Sequence, residues 1–194
     1  NLEKRDIQAR SMFQSMFKRP VTQEEYEEVL GLVYRPYHTA LRNHHERIRD
    51  IHGRCFHLSL HSLPPAHVAL VDGGYVFGGI AERGPIDLEQ GQLPDVILIH
   101  NEFKSAGSEL IMNVRSAFEK HGLIVSDGTG PFAGSNGVTG MYGCPENGIE
   151  VLGIEHVTHG IEVDRHQGGV RIVERTAKNM QKAYREMVEN LMRL

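Results

Sequence analysis

The chain has 194 residues, 40% of them hydrophobic and 24% charged, with a formal net charge of −4, which fits one soluble domain long enough to bury a core. Lys and Arg are scattered, which excludes a basic nucleic-acid footprint, and no apolar run approaches the roughly 20 residues of a membrane helix. The two cysteines, Cys55 and Cys144, lie far apart without CxxC spacing, which argues against a disulfide framework or a zinc knuckle and for a reducing, cytoplasmic setting.

The elements follow in chain order. Ile7, Met12, Phe13, Met16 and Phe17 recur on one helical face until Pro20,. Thr22 with Glu25 forms a capping box, from which a long helix runs toward Ile51, kinked or interrupted at Pro36 and ended by Gly53. The period then changes to two: Phe56, Leu58 and Leu60 alternate with Cys55, His57, Ser59 and His61, a strand. The Pro/Gly-rich residues 62–94 read as a long functional loop. Val96 to Ile99 is a second strand, Ser108 to His121 a helix stopped by Gly122, and Leu123 to Ser126 a third strand. Glycines dominate 128–143, Ile149 to Ile154 is a fourth strand, and Gly169 to Leu194 an amphipathic closing helix. Strands alternating with helices predict a single α/β domain over 1–194, with a mixed, partly parallel sheet flanked by helices.

The 12 histidines are a weak pointer to metal or proton chemistry. In open α/β sheets ligands bind at the carboxyl ends of strands. The first strand ends on Leu60-His61-Ser62 and the fourth on Ile154-Glu155-His156. A histidine and a glutamate at one sheet edge suit a metal ligand and a general base, although on spacing alone a structural role is the commoner one for a strand-end histidine.

Six motifs in order sharpen that reading. Arg35-Pro36-Tyr37-His38-Thr39-Ala40-Leu41, Leu60-His61-Ser62-Leu63-Pro64-Pro65, Gln92-Leu93-Pro94-Asp95-Val96-Ile97-Leu98, Pro131-Phe132-Ala133-Gly134, Tyr142-Gly143-Cys144-Pro145 and Ile154-Glu155 resemble the signatures of the N-formylglutamate amidohydrolases, a family that itself resembles zinc carboxypeptidases. The resemblance spans roughly residues 20 to 165. It implies a zinc-dependent amidohydrolase that cleaves a small N-acyl amino acid with activated water. His61 is then a zinc ligand, Glu155 the catalytic base, and Arg35, His38, Gly134 and Tyr142 contacts to substrate. One zinc ion is implied, with its other two ligands upstream of Asn1, so the N-terminal part of the domain is expected to be missing. A small-molecule partner is implied, and no nucleic acid or membrane; the sequence leaves a homo-oligomer open.

The chain also departs from the pattern. Ser59 stands where an acidic residue is usual two positions before the His-Ser, Thr158 and His159 where an Arg is usual after the strand-end Glu, Gly134-Ser135 for a glycine pair, and Ile99-His100 for a Leu-Gly. Since arginine suits bidentate binding of a carboxylate, these departures leave two alternatives beside the leading one: a deacylase or carboxypeptidase-like hydrolase of another acylated amino acid, and a non-catalytic member that binds a small ligand or partner.

Overall fold

Thr22 begins the first helix through reciprocal bonds. Its Oγ1 accepts from the Glu25 N–H at 3.2 Å, and its own N–H donates to Glu25 Oε2 at 2.9 Å, which satisfies two of the donors a helix start leaves free. In the computed structural model, residues 20–63, 68–71, 74–77, 80–85, 94–128, 137–157, 161–164, 169–172 and 174–194 are described. The chain divides into two compact units, Asn1–Gly53 and Arg54–Leu194, and each is taken by itself. The amphipathic pattern at residues 5–17 lies outside the described residues.

In the first unit, α1 (Gln23–Val29) passes through a π-helical turn, Leu30–Tyr34, into α2 (Arg35–His52). The expected interruption at Pro36 takes this form. Proline has no N–H and crowds the carbonyl one turn back, and the turn before it widens so that the Arg35 N–H reaches the Leu30 carbonyl, a π-bulge within a continuous helix. Gly53, at φ 79°, closes α2 in the left-handed conformation glycine tolerates.

The second unit carries a sheet of order β1-β7-β5-β6, built from β1 (Cys55–Leu63), β5 (Val96–Ile99), β6 (Val125–Asp127) and β7 (Ile149–Val157). β1 runs parallel to β7, β7 antiparallel to β5, and β5 parallel to β6, so the sheet is mixed and partly parallel, as the alternation of elements predicts. Successive side chains point to opposite faces. One face presents Val96, Leu98, Leu152 and Ile154, with Phe56, Leu58 and Val125 packed beside them. It is covered by α3 (Ser108–Lys120) and α5 (Glu174–Leu191), which supply Leu110, Val114, Phe118, Ala183 and Met187 to the core. Fully burying a Leu or Phe contributes roughly 1.5–3 kcal/mol, so this face anchors the fold. Lys120 and His121 at the end of α3 both reach Glu186 of α5, at 2.6 and 3.0 Å.

Glu150 fastens the start of β7 to the start of α3. Its carboxylate accepts from the Gly107 N–H at 2.7 Å and from the Arg54 guanidinium at 3.0 Å, while Arg54 lies over the Phe56 ring, 4.3 Å from its centroid. A carboxylate at a helix N-terminus meets free N–H groups and the positive end of the dipole. After β5 the chain turns through Asn101, Glu102 and Phe103, all at positive φ (49°, 54° and 64°), a costly conformation for residues with a Cβ. The His100 ring holds this turn: Nδ1 accepts from the Phe103 N–H at 3.1 Å, and Nε2 meets Asp127 at 3.1 Å. Since the backbone can only donate, the neutral ring carries its proton on Nε2 and gives it to Asp127.

Four expectations change. Residues 62–94 are not one loop: β1 continues to Leu63, and β2 (Val68–Val71), β3 (Gly74–Phe77) and β4 (Ile80–Pro85) form an antiparallel sheet. Asp72-Gly73 and Gly78-Gly79 between apolar runs are hairpin signals outweighed by the Pro and Gly content. Within 128–143, Val138–Tyr142 form a short helix, α4. β7 extends three residues past Ile154 to Val157. β8 (Ile161–Asp164) pairs with β9 (Gly169–Ile172), so the closing helix begins at Glu174 rather than Gly169.

Candidate functional site

The two strand-end residues meet by register. β1 and β7 pair in parallel with His61 opposite Glu155 and Ser59 opposite Gly153. Side chains of directly opposed residues share one face, the one turned away from the α3–α5 core. On its other side Glu155 faces Ile97 of β5. Among the described residues β1 is the edge strand of this sheet and β7 an inner one, and the two groups differ accordingly: His61 is exposed, whereas Glu155 is 8% exposed.

Ser59, two residues before His61, lies on the same face, and its Oγ sits 3.0 Å from His61 Nε2. Gly153, opposite Ser59, leaves that place without a side chain, and a Cβ there would come within 2.9 Å of the Ile99 Cβ and 3.4 Å of Thr139 Cγ2 on α4. Glycine at this position therefore lets α4 lie against the face that carries Glu155. Burial pushes the Glu155 carboxyl above its ordinary value, and the charge of His61 draws it partly back. A carboxylate so placed is poised to take up and return a proton.

The neighbouring His156 points the opposite way, as alternation along a strand requires. Its Nε2 meets the Tyr184 hydroxyl and its ring lies 6.1 Å from Phe118. Burial holds the imidazole below its ordinary value and the Tyr184 phenol above its own. His156 is thus a core group beneath the sheet.

The remaining sequence candidates are taken within their own units. Arg35 and His38 belong to the first unit. Arg35 binds Glu27 at 2.7 Å, and the His38 ring lies 4.0 Å from that of Tyr34 and 5.1 Å from that of Tyr37; burial, then the Arg42 charge, lower its pKa. Tyr142 is half-buried at the end of α4. Gly143 after it packs so closely that a Cβ would fall 2.4 Å from the Ser105 carbonyl oxygen. Gly134 lies outside the described residues. Ser59 departs from the family pattern, and its two-residue spacing from His61 within a strand puts both on one face,.

Among the described residues, no three His, Cys, Asp or Glu side chains gather where they could hold a metal ion. His61 offers one imidazole nitrogen of the kind zinc takes, with Glu155 beside it; zinc sites use Cys, His and carboxylate donors. The described part of the site thus fits one ligand and a neighbouring base.

Comparison with known proteins bears on the family and the fold. The family model for N-formylglutamate amidohydrolase matches residues 4–161. The crystal structure of N-formylglutamate amidohydrolase from Ralstonia eutropha JMP134 superposes with a TM-score of 0.65 at 20% identity, covering 89% of this chain and 56% of that one. At that identity the likeness is one of fold, and the chain spans little more than half the length of the solved protein. No curated protein matches.

Proposed function

Because the chain belongs to the N-formylglutamate amidohydrolase family, we propose that it is a zinc-dependent amide hydrolase acting on a small N-acyl amino acid, with His61 as a metal ligand and Glu155 as the catalytic base. The observation that carries this is the register of β1 on β7, which sets His61 directly opposite Glu155 on the face away from the core. The remaining metal donors are assigned to residues outside the described ones.

Each residue then has a defined task. Zinc, when bound, supplies a Lewis acid for the scissile carbonyl and lowers the pKa of water to about 7. His61, on the exposed edge strand, presents an imidazole nitrogen where substrate and solvent reach it. Glu155 accepts the proton of the attacking water and returns it to the departing amine nitrogen. Water adds to the amide carbon, the C–N bond breaks, and the products are a carboxylic acid and the free amine of the amino acid.

N-formylglutamate is the substrate that the name of the solved relative suggests. Two free cysteines, one of them buried, support a reducing, cytoplasmic setting, and no helix among the described residues is long and apolar enough to cross a membrane. The test is hydrolysis of a panel of N-formyl and N-acetyl amino acids with zinc supplied. Release of the free amino acid from at least one acidic member is expected. No turnover across the panel, together with ligand binding, would instead favour a non-catalytic member.

A further inference from the structure

We propose that His100 is a pH-sensitive latch: its neutral ring holds the left-handed turn between β5 and α3 closed, and the turn opens when the ring takes up a proton. The inference is independent of the reading of His61 and Glu155. β5 runs antiparallel to β7, so its carboxyl end points away from the edge that carries them. A glycine is usual in the family where His100 stands, so the latch belongs to this chain and not to the shared fold.

Asn101, Glu102 and Phe103 follow one another at φ 49°, 54° and 64°, a conformation that residues with a Cβ keep only where contacts hold them. The Lys104 N–H reaches the Asn101 carbonyl at 3.0 Å and the Ser105 N–H the His100 carbonyl at 3.2 Å. The Phe103 N–H is held by a side chain instead, donating to His100 Nδ1 at 3.1 Å. That ring is 5% exposed, with the Phe103 ring 4.6 Å from it between centroids. Its Nε2 gives a proton to Asp127 Oδ1 at 3.1 Å, and the same oxygen accepts from Arg115 at 2.6 Å.

Protonation sets this arrangement against itself. Both nitrogens of an imidazolium are donors, so the added proton sits on Nδ1 and points at the Phe103 N–H, another donor. A buried N–H that faces no acceptor is costly. Among the described residues, the charged groups facing the ring are Asp127 from β6 and, behind it, Arg115 from α3, which also reaches Glu119 at 3.5 Å. On the turn itself, Glu102 and Lys104 pair with each other at 2.8 Å. Asp127 attracts the imidazolium, so the Nε2 bond persists while the Nδ1 bond is lost. The closed turn is therefore present above the histidine range and lost as pH falls through it. Release stops at α3, because Glu150 still holds the Gly107 N–H at 2.7 Å.

The experiment is amide hydrogen exchange of the full-length protein between about pH 8 and about pH 5, the span over which histidine changes charge, with long-range ¹H–¹⁵N correlation of the His100 ring. At the upper pH we expect the Nε2–H tautomer and a protected Phe103 amide. Toward the lower pH the Phe103 protection factor should fall about ten-fold, the equivalent of one lost hydrogen bond, while those of Gly107 and Val114 hold. His100→Asn offers the Phe103 N–H a carbonyl oxygen that does not titrate, so its Phe103 protection should not change with pH. Asp127→Asn keeps an acceptor but removes the charge that attracts the imidazolium, so the fall should move to lower pH. An Nδ1–H tautomer at the upper pH, Phe103 protection unchanged when the ring is protonated, or a fall in His100→Asn equal to the parent's would each overturn the latch. A fall shared by Gly107 and Val114 would also overturn it, since it would mark unfolding of the whole unit.

Discussion

His61 and Glu155 face one another across β1 and β7, one exposed on an edge strand and the other buried on an inner one. Groups that act in one step are not independent. His61→Ala and Glu155→Ala should each lower kcat/KM by about 10²–10⁴-fold, and the double variant should be little worse than the poorer single one. A double-mutant cycle on a hydrolysed N-acyl amino acid checks this. Strictly additive losses would show that the two residues do not share a step.

His156 gives the fold a pH dependence. Burial lowers its folded pKa, so below the ordinary histidine value of about 6.5 the unfolded chain takes up a proton that the folded chain resists. Stability should therefore hold above that value and fall as pH drops below it. Urea unfolding of the parent and of His156→Phe between pH 5 and 8 measures it; the variant should have the flatter profile in the acid half.

Arg54 neutralises Glu150, whose side chain is 10% exposed, while Arg54 itself is 32% exposed. Breaking a fully buried pair costs about 3–5 kcal/mol, and the water that reaches Arg54 lowers that figure. Arg54→Met should destabilise the second unit by about 1–3 kcal/mol, and Arg54→Met with Glu150→Gln should recover part of it. Denaturant midpoints of the three variants decide the point.

Gly143 has an ordinary backbone conformation, φ −67° and ψ 122°, so its need for glycine is steric. A methyl group there meets the Ser105 backbone at 2.4 Å. Gly143→Ala should cost about 1–3 kcal/mol by overpacking, read from thermal unfolding.

Much of this was legible in the sequence where one physical signal dominated. Strict alternation in Cys55–His61 gave β1 its faces, Thr22 with Glu25 gave the helix start, and Gly53 its stop. The strand-end positions put His61 and Glu155 at the carboxyl ends of their strands, but the pairing of β1 with β7 joins residues about ninety apart, and no local pattern encodes it. Local signals also conflicted. The glycines and prolines of 62–94 hid β2 to β4, and the apolar residues of 161–172 fit strand and helix alike in so short a run. Ser59 reads as the loss of an acidic group, and the contact of its hydroxyl with the His61 ring depends on side-chain rotamers that no local pattern encodes.

Zinc content and turnover measured together on the full-length protein and on its His61→Ala and Glu155→Gln variants test the proposal most directly. With all its metal donors present, the parent protein should hold zinc and release the amino acid from its N-acyl substrate. His61→Ala should lose metal, since one of its few protein ligands is gone. Glu155→Gln should keep zinc while turnover falls by about 10²–10⁴-fold, because an amide cannot accept the proton of water. Full turnover by Glu155→Gln at unchanged zinc content, or unchanged zinc in His61→Ala, would contradict the account.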